Sequence, residues 1–342
     1  MVTIEKKTAN QTIAKLPPKS RVPRIIQTIR SVFTPVSFLK ATQQEYGDIF
    51  LFESKNFSSQ IVLSNVQAIQ ELLTADSKLF ESGSGSKIIQ PLVGANSLIL
   101  LDGDRHLQQR KLLMPPFHGE RMRAYGQLIC NITNQVTSQW TVGQSFLARP
   151  NMQDISLQVI LRAVFGLKEG ERYQQIKQVL TEMLDTFNSP PTVITQLPYL
   201  NAVCSETLRI YPVAFFSLPR ILKEPMQFMG YDLPKGMMLS VSIYLTHHRP
   251  DVYPEPEKFQ PERFLERQFS PYEFLPFGGG NRRCIGAAFA LFEMKLVLAN
   301  ILSHYSLELM DKAPLKPVRR GIVFAPNGGV HLMVKDKYGT GK

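Results

Sequence analysis

The sequence predicts a mainly α fold with small β-sheets, and three observations carry this fold class. Apolar residues recur at helical spacing through long segments, at 122–140, 155–165 and 173–187. Shorter runs rich in β-branched and aromatic residues flank polar turns, at 46–63 and 226–245. The composition is globular, with 44% hydrophobic and 20% charged residues. The length of 342 residues allows one large domain or two small ones.

The N-terminal region is basic and then amphipathic. Residues 1–24 contain neither a signal-peptide core nor a spanning helix. Residues 25–39 alternate apolar and polar faces and carry Arg24, Arg30 and Lys40 at or beside them. Such a stretch fits either a membrane surface or packing on the domain. Packing on the domain is the favoured alternative, so we expect at most a peripheral contact with a membrane.

A hairpin and two helices are predicted in the first third of the chain. Residues 46–63 contain two strand patterns separated by a polar turn, and Ser64-Asn65 then caps a helix. The glycine-rich segment 83–86 is predicted to be a loop. A further helix follows Asp102, and it places His106 and Arg110 on one face because they are four residues apart.

The segment 197–209 predicts a helix with Glu206 and Arg209 three residues apart. Taken by themselves, these two residues fit a solvated ion pair worth only ~0.2–0.5 kcal/mol. Strands are predicted at 226–233 and 237–245, which places His247-His248 at a strand end. Adjacent strand residues point to opposite faces, so the two histidines are not expected to share a metal.

Residues 274–286 combine features that a soft metal ligand needs. The loop contains three consecutive glycines, whose backbone can lie close to a flat group. Cys284 then precedes a helix that is apolar nearly all round, and the free N–H groups of a helix N-terminus favour a thiolate. A lone cysteine is usually a small buried hydrophobe. The combination follows the pattern Phe-x-x-Gly-x-Arg-x-Cys-x-Gly, formed by Phe277, Gly280, Arg282, Cys284 and Gly286.

At this spacing the loop resembles the heme-ligand loop of the cytochrome P450 family. The resemblance implies a single domain with the fold of that family over residues 1–342, heme b as cofactor, and the Cys284 thiolate as the proximal ligand of the heme iron. It also implies that Phe277, Arg282 and Gly286 belong to the cofactor-binding loop.

Two other motifs resemble sites that surround the heme in this family. His106 and Arg110 stand where the family usually has Trp-x-x-x-Arg, whose side chains reach a heme propionate. An imidazole N–H can still donate to a carboxylate, and arginine suits paired hydrogen bonds with one. Arg220 resembles the strand arginine that binds a propionate in many members.

A third motif resembles a structural triad of the family. Glu206 and Arg209 match its Glu-x-x-Arg pair, and Arg263 lies in a matching Pro-Glu-Arg-Phe sequence. The resemblance implies that the three side chains are buried together. Such a group needs well-matched geometry because its charges are desolvated.

The resemblance runs from Leu16 to Lys335 but is interrupted. Arg110 and Glu206 are 96 positions apart, and the family has roughly a hundred further residues there, on the order of a small domain. We place the deletion near 188–192. The family's long central helix carries an acid–alcohol pair that has no counterpart here, so we assign no catalytic residue. Its loss is expected to admit water to one heme face and to expose core surfaces.

The resemblance implies a heme-thiolate monooxygenase that inserts one atom of O2 into an apolar, lipid- or terpenoid-like substrate. No Rossmann or flavin fingerprint is present, so a ferredoxin- or flavodoxin-type donor is expected in trans. The alternative is a truncated, non-catalytic heme-binding protein.

Three cysteines make no disulfide framework, which favours a cytoplasmic protein, expected to be a monomer. A net charge of +11 without a long Lys/Arg run does not favour nucleic-acid binding.

Overall fold

A computed structural model describes residues 15–54, 57–117, 120–164, 198–311, 317–320 and 323–338. The mainly α fold with small sheets is confirmed. The described helices are α1 Arg24–Phe33, α2 Pro35–Tyr46, α3 Val66–Thr74, α4 Gln90–Val93, α5 Gly103–Leu113, α6 Glu120–Thr137, α7 Ala148–Val159, α8 Pro198–Ile210, α9 Ile243–His247, α10 Arg263–Glu266 and α11 Ala287–His304. The helix predicted at 173–187 and the deletion predicted near 188–192 lie outside the described residues.

The described strands form four small sheets. The strands are β1 Ile49–Ser54, β2 Phe57–Leu63, β3 Phe80–Glu81, β4 Ser145–Leu147, β5 Arg220–Leu222, β6 Met226–Phe228, β7 Tyr231–Leu233, β8 Met238–Val241, β9 Tyr305–Leu309, β10 Pro317–Arg320, β11 Val323–Pro326 and β12 His331–Lys337. The largest sheet has the order β1-β2-β8-β5-β3, in which β2 and β8 are parallel and the other pairs antiparallel. The others are β4-β12-β9, β10-β11 and β6-β7.

Two of the buried clusters meet at the cysteine loop. One packs α3 against the five-stranded sheet and includes Leu275. The other packs α6, α7 and α11 around Trp140 and includes Phe289. The segment between Leu275 and Phe289 therefore passes from one core to the other. Apolar anchors at both ends hold the loop that carries Cys284.

Several local predictions are borne out by the structure. The hairpin of β1 and β2 forms in antiparallel register, with Ile49 opposite Leu63. The side chain of Asn65 accepts a hydrogen bond from the backbone N–H of Ala68 and so caps α3. His106 and Arg110 both lie on α5.

Two local predictions are wrong, and a third holds. The strand expected through residue 245 ends at Val241, because Ser242 caps the short helix α9 with its hydroxyl. Residues 84–89 form a 3-10 helix where a loop was expected. The favoured packing of residues 25–39 on the domain holds for α2, whose Phe38 and Leu39 are buried. It also holds for α1, which packs on β1 through the buried Gln27 while its large apolar side chains are exposed.

Candidate functional site

The loop before α11 presents Cys284 at the surface through a set of backbone hydrogen bonds. The N–H of Cys284 donates to the carbonyl of Phe277 at 3.0 Å, and that of Arg283 donates to the carbonyl of Gly280 at 3.2 Å. Helix α11 begins at Ala287 after Gly286. Of the three cysteines in the chain, Cys284 is exposed, whereas Cys204 is buried and Cys130 partly so. The loop is thus built to expose one thiol.

Gly280 is the most constrained glycine of this loop. Its φ is +62°, and a Cβ there would lie 2.9 Å from the carbonyl oxygen of Leu73 and 2.8 Å from Nη2 of Arg220. Gly278 also has a positive φ, +69°, but a Cβ there would meet nothing within 4 Å. Gly280 therefore lets the loop close against the end of α3 and against Arg220.

Replacing Gly280 by alanine is expected to destabilise the fold more than replacing Gly278. Gly278→Ala should lower the free energy of unfolding by about 1–2 kcal/mol, because alanine is strained in a left-handed backbone conformation. Gly280→Ala adds a clash with a backbone oxygen, worth about 1–3 kcal/mol more. Urea unfolding of the two variants measures the difference. Equal losses in the two variants would contradict the close approach of Gly280 to Leu73.

His247 holds the start of the same loop. The N–H of Leu275 donates to Nε2 of His247 at 3.0 Å, and the imidazole stacks on Phe274. Burial, aided by His248 and Arg209, lowers the pKa of His247 to about 3. The ring is therefore a neutral acceptor for the loop. His247 ends the short helix α9 and not a strand as expected, and the prediction that it does not share a metal with His248 stays a prediction.

The depressed pKa of His247 predicts that stability falls in mild acid. Below pH 6.5, the ordinary pKa of histidine, His247 is protonated in the unfolded chain but stays neutral in the folded chain. The free energy of unfolding therefore decreases as pH falls towards 3. The slope from this residue approaches about 1.4 kcal/mol per pH unit. In His247→Gln the amide oxygen can still accept from Leu275, and the acid slope should be shallower. Urea unfolding between pH 7 and pH 5 tests this, with the exposed His331→Gln as control; equal slopes in all three proteins would contradict it.

Glu206, Arg209 and Arg263 are brought together in the interior. Arg209 donates from Nε and Nη2 to the two carboxylate oxygens of Glu206, at 2.7 and 2.8 Å. Arg263 donates from Nε to the same carboxylate at 3.2 Å. Glu206 and Arg209 are completely buried. The interpretation of a solvated ion pair is wrong, because both charges are desolvated.

The two arginines of this triad also donate hydrogen bonds to the irregular segment 254–258. Arg209 donates to the backbone carbonyls of Pro256 and Lys258, and Arg263 donates to that of Pro254. A further bond runs from Nη1 of Arg209 to the carbonyl of His247, at 2.8 Å. Since His247 accepts from Leu275, a continuous path of hydrogen bonds links the triad to the cysteine loop.

Arg282 is held beside α5 by an acidic residue. It donates to Oδ1 of Asp102 at 2.5 Å and to the carbonyl of Leu101 at 2.7 Å. Asp102 immediately precedes α5, yet its carboxylate makes no capping bond to that helix. It accepts instead from the backbone N–H groups of Ser82 and Gly83. Asp102 therefore joins three segments at the edge of the site.

Arg220, the first residue of β5, is buried against α3 and the cysteine loop. It donates to the carbonyl of Leu72 at 2.5 Å and to the side chain of Asn281 at 3.4 Å. Burial, together with the charge of Arg282, lowers the pKa of Arg220 to about 10. The guanidinium groups of Arg220 and Arg282 thus lie within electrostatic reach of each other.

His106 and Arg110 complete the group on the α5 side. Burial, then the charges of Arg282 and Arg110, lower the pKa of His106 to about 4, so its imidazole is neutral. Burial lowers the pKa of Arg110, Arg283 lowers it further, and the nearby Cys284 raises it. No hydrogen bond of either side chain occurs within the described part of the chain.

The structure therefore gathers the predicted residues into two groups. One surrounds the exposed thiol and contains His106, Arg110, Arg220, Phe277, Arg282, Cys284 and Gly286. The other is the buried triad. Two residues were missed: Asp102, which pairs with Arg282, and His247, which supports Leu275. Neither belongs to a motif, and their partners lie far away in sequence, so no local pattern indicates these contacts.

Comparison with known families identifies the chain. A family model described as Cytochrome P450 matches residues 17–195 and 192–333. These two segments span nearly all of the chain, which therefore belongs to the cytochrome P450 family. The family resemblance predicted from the motifs is confirmed.

Individual relatives agree with this assignment. Cytochrome P450 135B1 of Mycobacterium tuberculosis (strain ATCC 25618 / H37Rv) is 26% identical over 432 residues, which cover 94% of this chain and 91% of the relative. Cytochrome P450 138 of the same organism is 24% identical over 429 residues, covering 94% and 97%. A solved structure described as retinoic acid bound cyanobacterial CYP120A1 superposes with a TM-score of 0.78 at 21% identity. It covers 95% of this chain and 100% of that one. The predicted P450 fold is thereby confirmed.

Family membership implies heme b as the cofactor, and the residues around Cys284 fit it. The thiol is exposed, as an iron ligand must be before the cofactor binds. Several basic groups converge beside it, and the carboxylate that pairs with them in the described structure is Asp102. The surplus positive charge matches the two propionates of heme b. His106 and Arg110 retain hydrogen-bonding capacity for such carboxylates.

Helix α11, which follows the cysteine, is long and apolar enough to cross a membrane by length and composition. It contributes Phe289, Leu296, Val297 and Ile301 to the buried cluster shared with α6. Its apolar character is therefore accounted for by core packing, as expected for a helix that supports a cofactor loop.

Proposed function

We propose that this cytochrome P450 is a heme-thiolate monooxygenase acting on an apolar, lipid- or terpenoid-like substrate, with electrons supplied by a separate redox protein. The observation that carries the proposal is the exposed Cys284 at the end of a hydrogen-bonded loop, beside a cluster of basic side chains. A thiolate ligand is the feature that suits heme iron to O–O cleavage.

In this proposal Cys284 is the iron ligand, and the remaining residues of its group position the cofactor. The proposed propionate contacts are His106, Arg110, Arg220 and Arg282. Phe277 contributes the carbonyl that closes the loop, and Gly286 lies beside the sulfur, where a Cβ would be at an ordinary contact distance of 3.9 Å from Sγ. Glu206, Arg209 and Arg263 are proposed to be structural. No residue is proposed as a distal catalytic acid.

The chemistry divides between the cofactor and the chain. When bound, heme b supplies the activation of O2 and the insertion of one oxygen atom into a C–H bond. The chain supplies the thiolate and neutralises the propionates. It also anchors the cysteine loop at both ends by packing Leu275 and Phe289 into the two cores.

Substrate and partners are the finer part of the proposal. An apolar substrate is supported by the solved CYP120A1 structure, which is described as retinoic acid bound. A ferredoxin- or flavodoxin-type donor fits a net charge of +11, because such donors are acidic and charge complementarity speeds their encounter. We also propose that the protein is a cytoplasmic monomer that consists of a single domain. The partly or fully buried free thiols Cys130 and Cys204 suit a reducing compartment.

A second candidate function is favoured by two observations from the comparisons. The alignment with cytochrome P450 135B1 runs over 432 positions, whereas this chain has 342 residues, so at least 90 positions of the relative have no counterpart here. The two family-model matches also break at residues 192–195. Both observations support an internal deletion near 188–192. A chain without the distal helix would bind heme and yet lack a route for protons to the oxygen.

Product formation separates the two candidates. The purified chain is reconstituted with heme and tested with NADPH and a surrogate reductase–ferredoxin pair on a panel of fatty acids and terpenoids. The monooxygenase predicts a hydroxylated product that scales with NADPH consumed. The non-catalytic protein predicts a normal heme spectrum with NADPH consumption that yields hydrogen peroxide alone. Failure of the chain to bind heme would refute both candidate functions.

A further inference from the structure

Helix α1 buries its polar face and exposes its apolar face, which is the reverse of an ordinary surface helix. Its buried residue is the polar Gln27, with Thr28 and Ser31 half-buried beside it. Gln27 donates to the carbonyl of Val22 at 2.7 Å and accepts from the N–H of Glu53 at 3.3 Å. The helix therefore rests on β1 through polar contacts.

The outward face of α1 is apolar. Its exposed side chains are Ile25, Ile26, Ile29, Val32 and Phe33. At helical spacing these residues fall within one arc of roughly 120°. Phe33 is 79% exposed. Scattered single apolar residues on a surface need no explanation, but a continuous stripe of five on one short helix marks an interaction site.

The charge around this face identifies the partner. Residues 15–44 contain six basic residues and no acidic one. Lys19 and Arg24 pair with Glu53, whereas Arg21 and Arg30 form no ion pair with the described part of the chain. A second copy of the chain would bring two such basic segments together, which is unfavourable. An anionic lipid surface needs no matching groove, only apolar depth and negative charge.

We infer that α1 docks this protein on an anionic lipid surface. The apolar stripe enters the boundary between headgroups and acyl chains, while Arg21 and Arg30 contact the anionic headgroups. The inference stands apart from the heme chemistry, because none of these residues belongs to the group around Cys284 or to the triad.

Flotation of the full chain with vesicles tests this inference. Vesicles of phosphatidylcholine with added phosphatidylglycerol should carry the protein, and salt should weaken the binding. Phe33→Glu removes a large apolar side chain and should reduce binding at least about tenfold. Arg30→Gln should reduce it about fivefold on anionic vesicles and little on phosphatidylcholine alone. These positions are exposed, so the thermal unfolding of the variants should match that of the parent.

Leu302→Glu provides a matched control. Leu302 is a 53% exposed apolar residue on α11, the described helix that is long and apolar enough to cross a membrane. It should float like the parent. A parent that fails to float, a Phe33→Glu variant that floats equally well, or loss of flotation in Leu302→Glu instead would each overturn the inference. So would a dimer that Phe33→Glu dissociates while vesicles capture neither protein.

Discussion

Replacing Cys284 by alanine is expected to abolish the red-shifted CO band of the reduced, heme-loaded protein. This band reports a thiolate bound to the iron, and Cys284 is the exposed thiol of the chain, at the end of the loop closed by its own N–H to the Phe277 carbonyl. The variant should also lose most of its bound heme, since metal binding stabilises the folded site. Absorbance of the reduced protein with and without CO measures both effects.

The other two cysteines are the matched controls for this experiment. Burial raises the pKa of Cys204 to about 11 and also raises that of Cys130. Both are therefore unreactive thiols away from the site, and Cys130→Ala and Cys204→Ala should keep the CO band. A red-shifted band that persists in Cys284→Ala and disappears in Cys204→Ala would assign the ligand elsewhere and refute the proposed site.

The fold and the family could be predicted because their signals are local. Helical periodicity predicted α6 to within a few residues, and the Asn65 cap predicted the start of α3. The spacing of Phe277, Cys284 and Gly286 was sufficient to indicate a heme loop. In each case the informative residues lie within one element or one loop, so a single stretch of sequence contains the whole signal.

Contacts between distant segments could not be predicted in this way. Asp102 pairs with Arg282 across 180 residues, and Leu275 donates to His247 across 28. A carboxylate before a helix predicts a cap, and only the tertiary fold shows that Asp102 serves another purpose. The orientation of α1 could not be predicted for a related reason. Amphipathicity shows that a helix has two faces, whereas the surroundings decide which face is buried.

Glu206→Gln is expected to cause the largest loss of stability among the substitutions considered. The carboxylate of Glu206 accepts from Arg209, from Arg263 and from the N–H of Gln260. Removing its charge leaves two buried guanidinium groups uncompensated, which costs about 3–5 kcal/mol. The amide nitrogen of glutamine would also face N–H donors. Urea unfolding of the heme-loaded protein measures this loss.

An exposed pair of the same spacing provides the control. Glu255 and Lys258 are also three residues apart, at 3.3 Å, but both side chains are more than half exposed. Glu255→Gln should therefore cost no more than about 0.5 kcal/mol. If both variants lost less than about 1 kcal/mol, buried charge compensation at Glu206 would be refuted.

Glu206→Gln should also weaken heme binding in chains that remain folded, and this effect follows from the bonding path. Arg209 is held by Glu206 and donates to the carbonyl of His247, whose ring accepts from Leu275 at the start of the cysteine loop. Loosening Arg209 therefore loosens the segment that positions Cys284. Heme titration at a urea concentration far below the unfolding midpoint separates this effect from global unfolding. An affinity equal to that of the parent under those conditions would show that the triad supports the fold without positioning the loop.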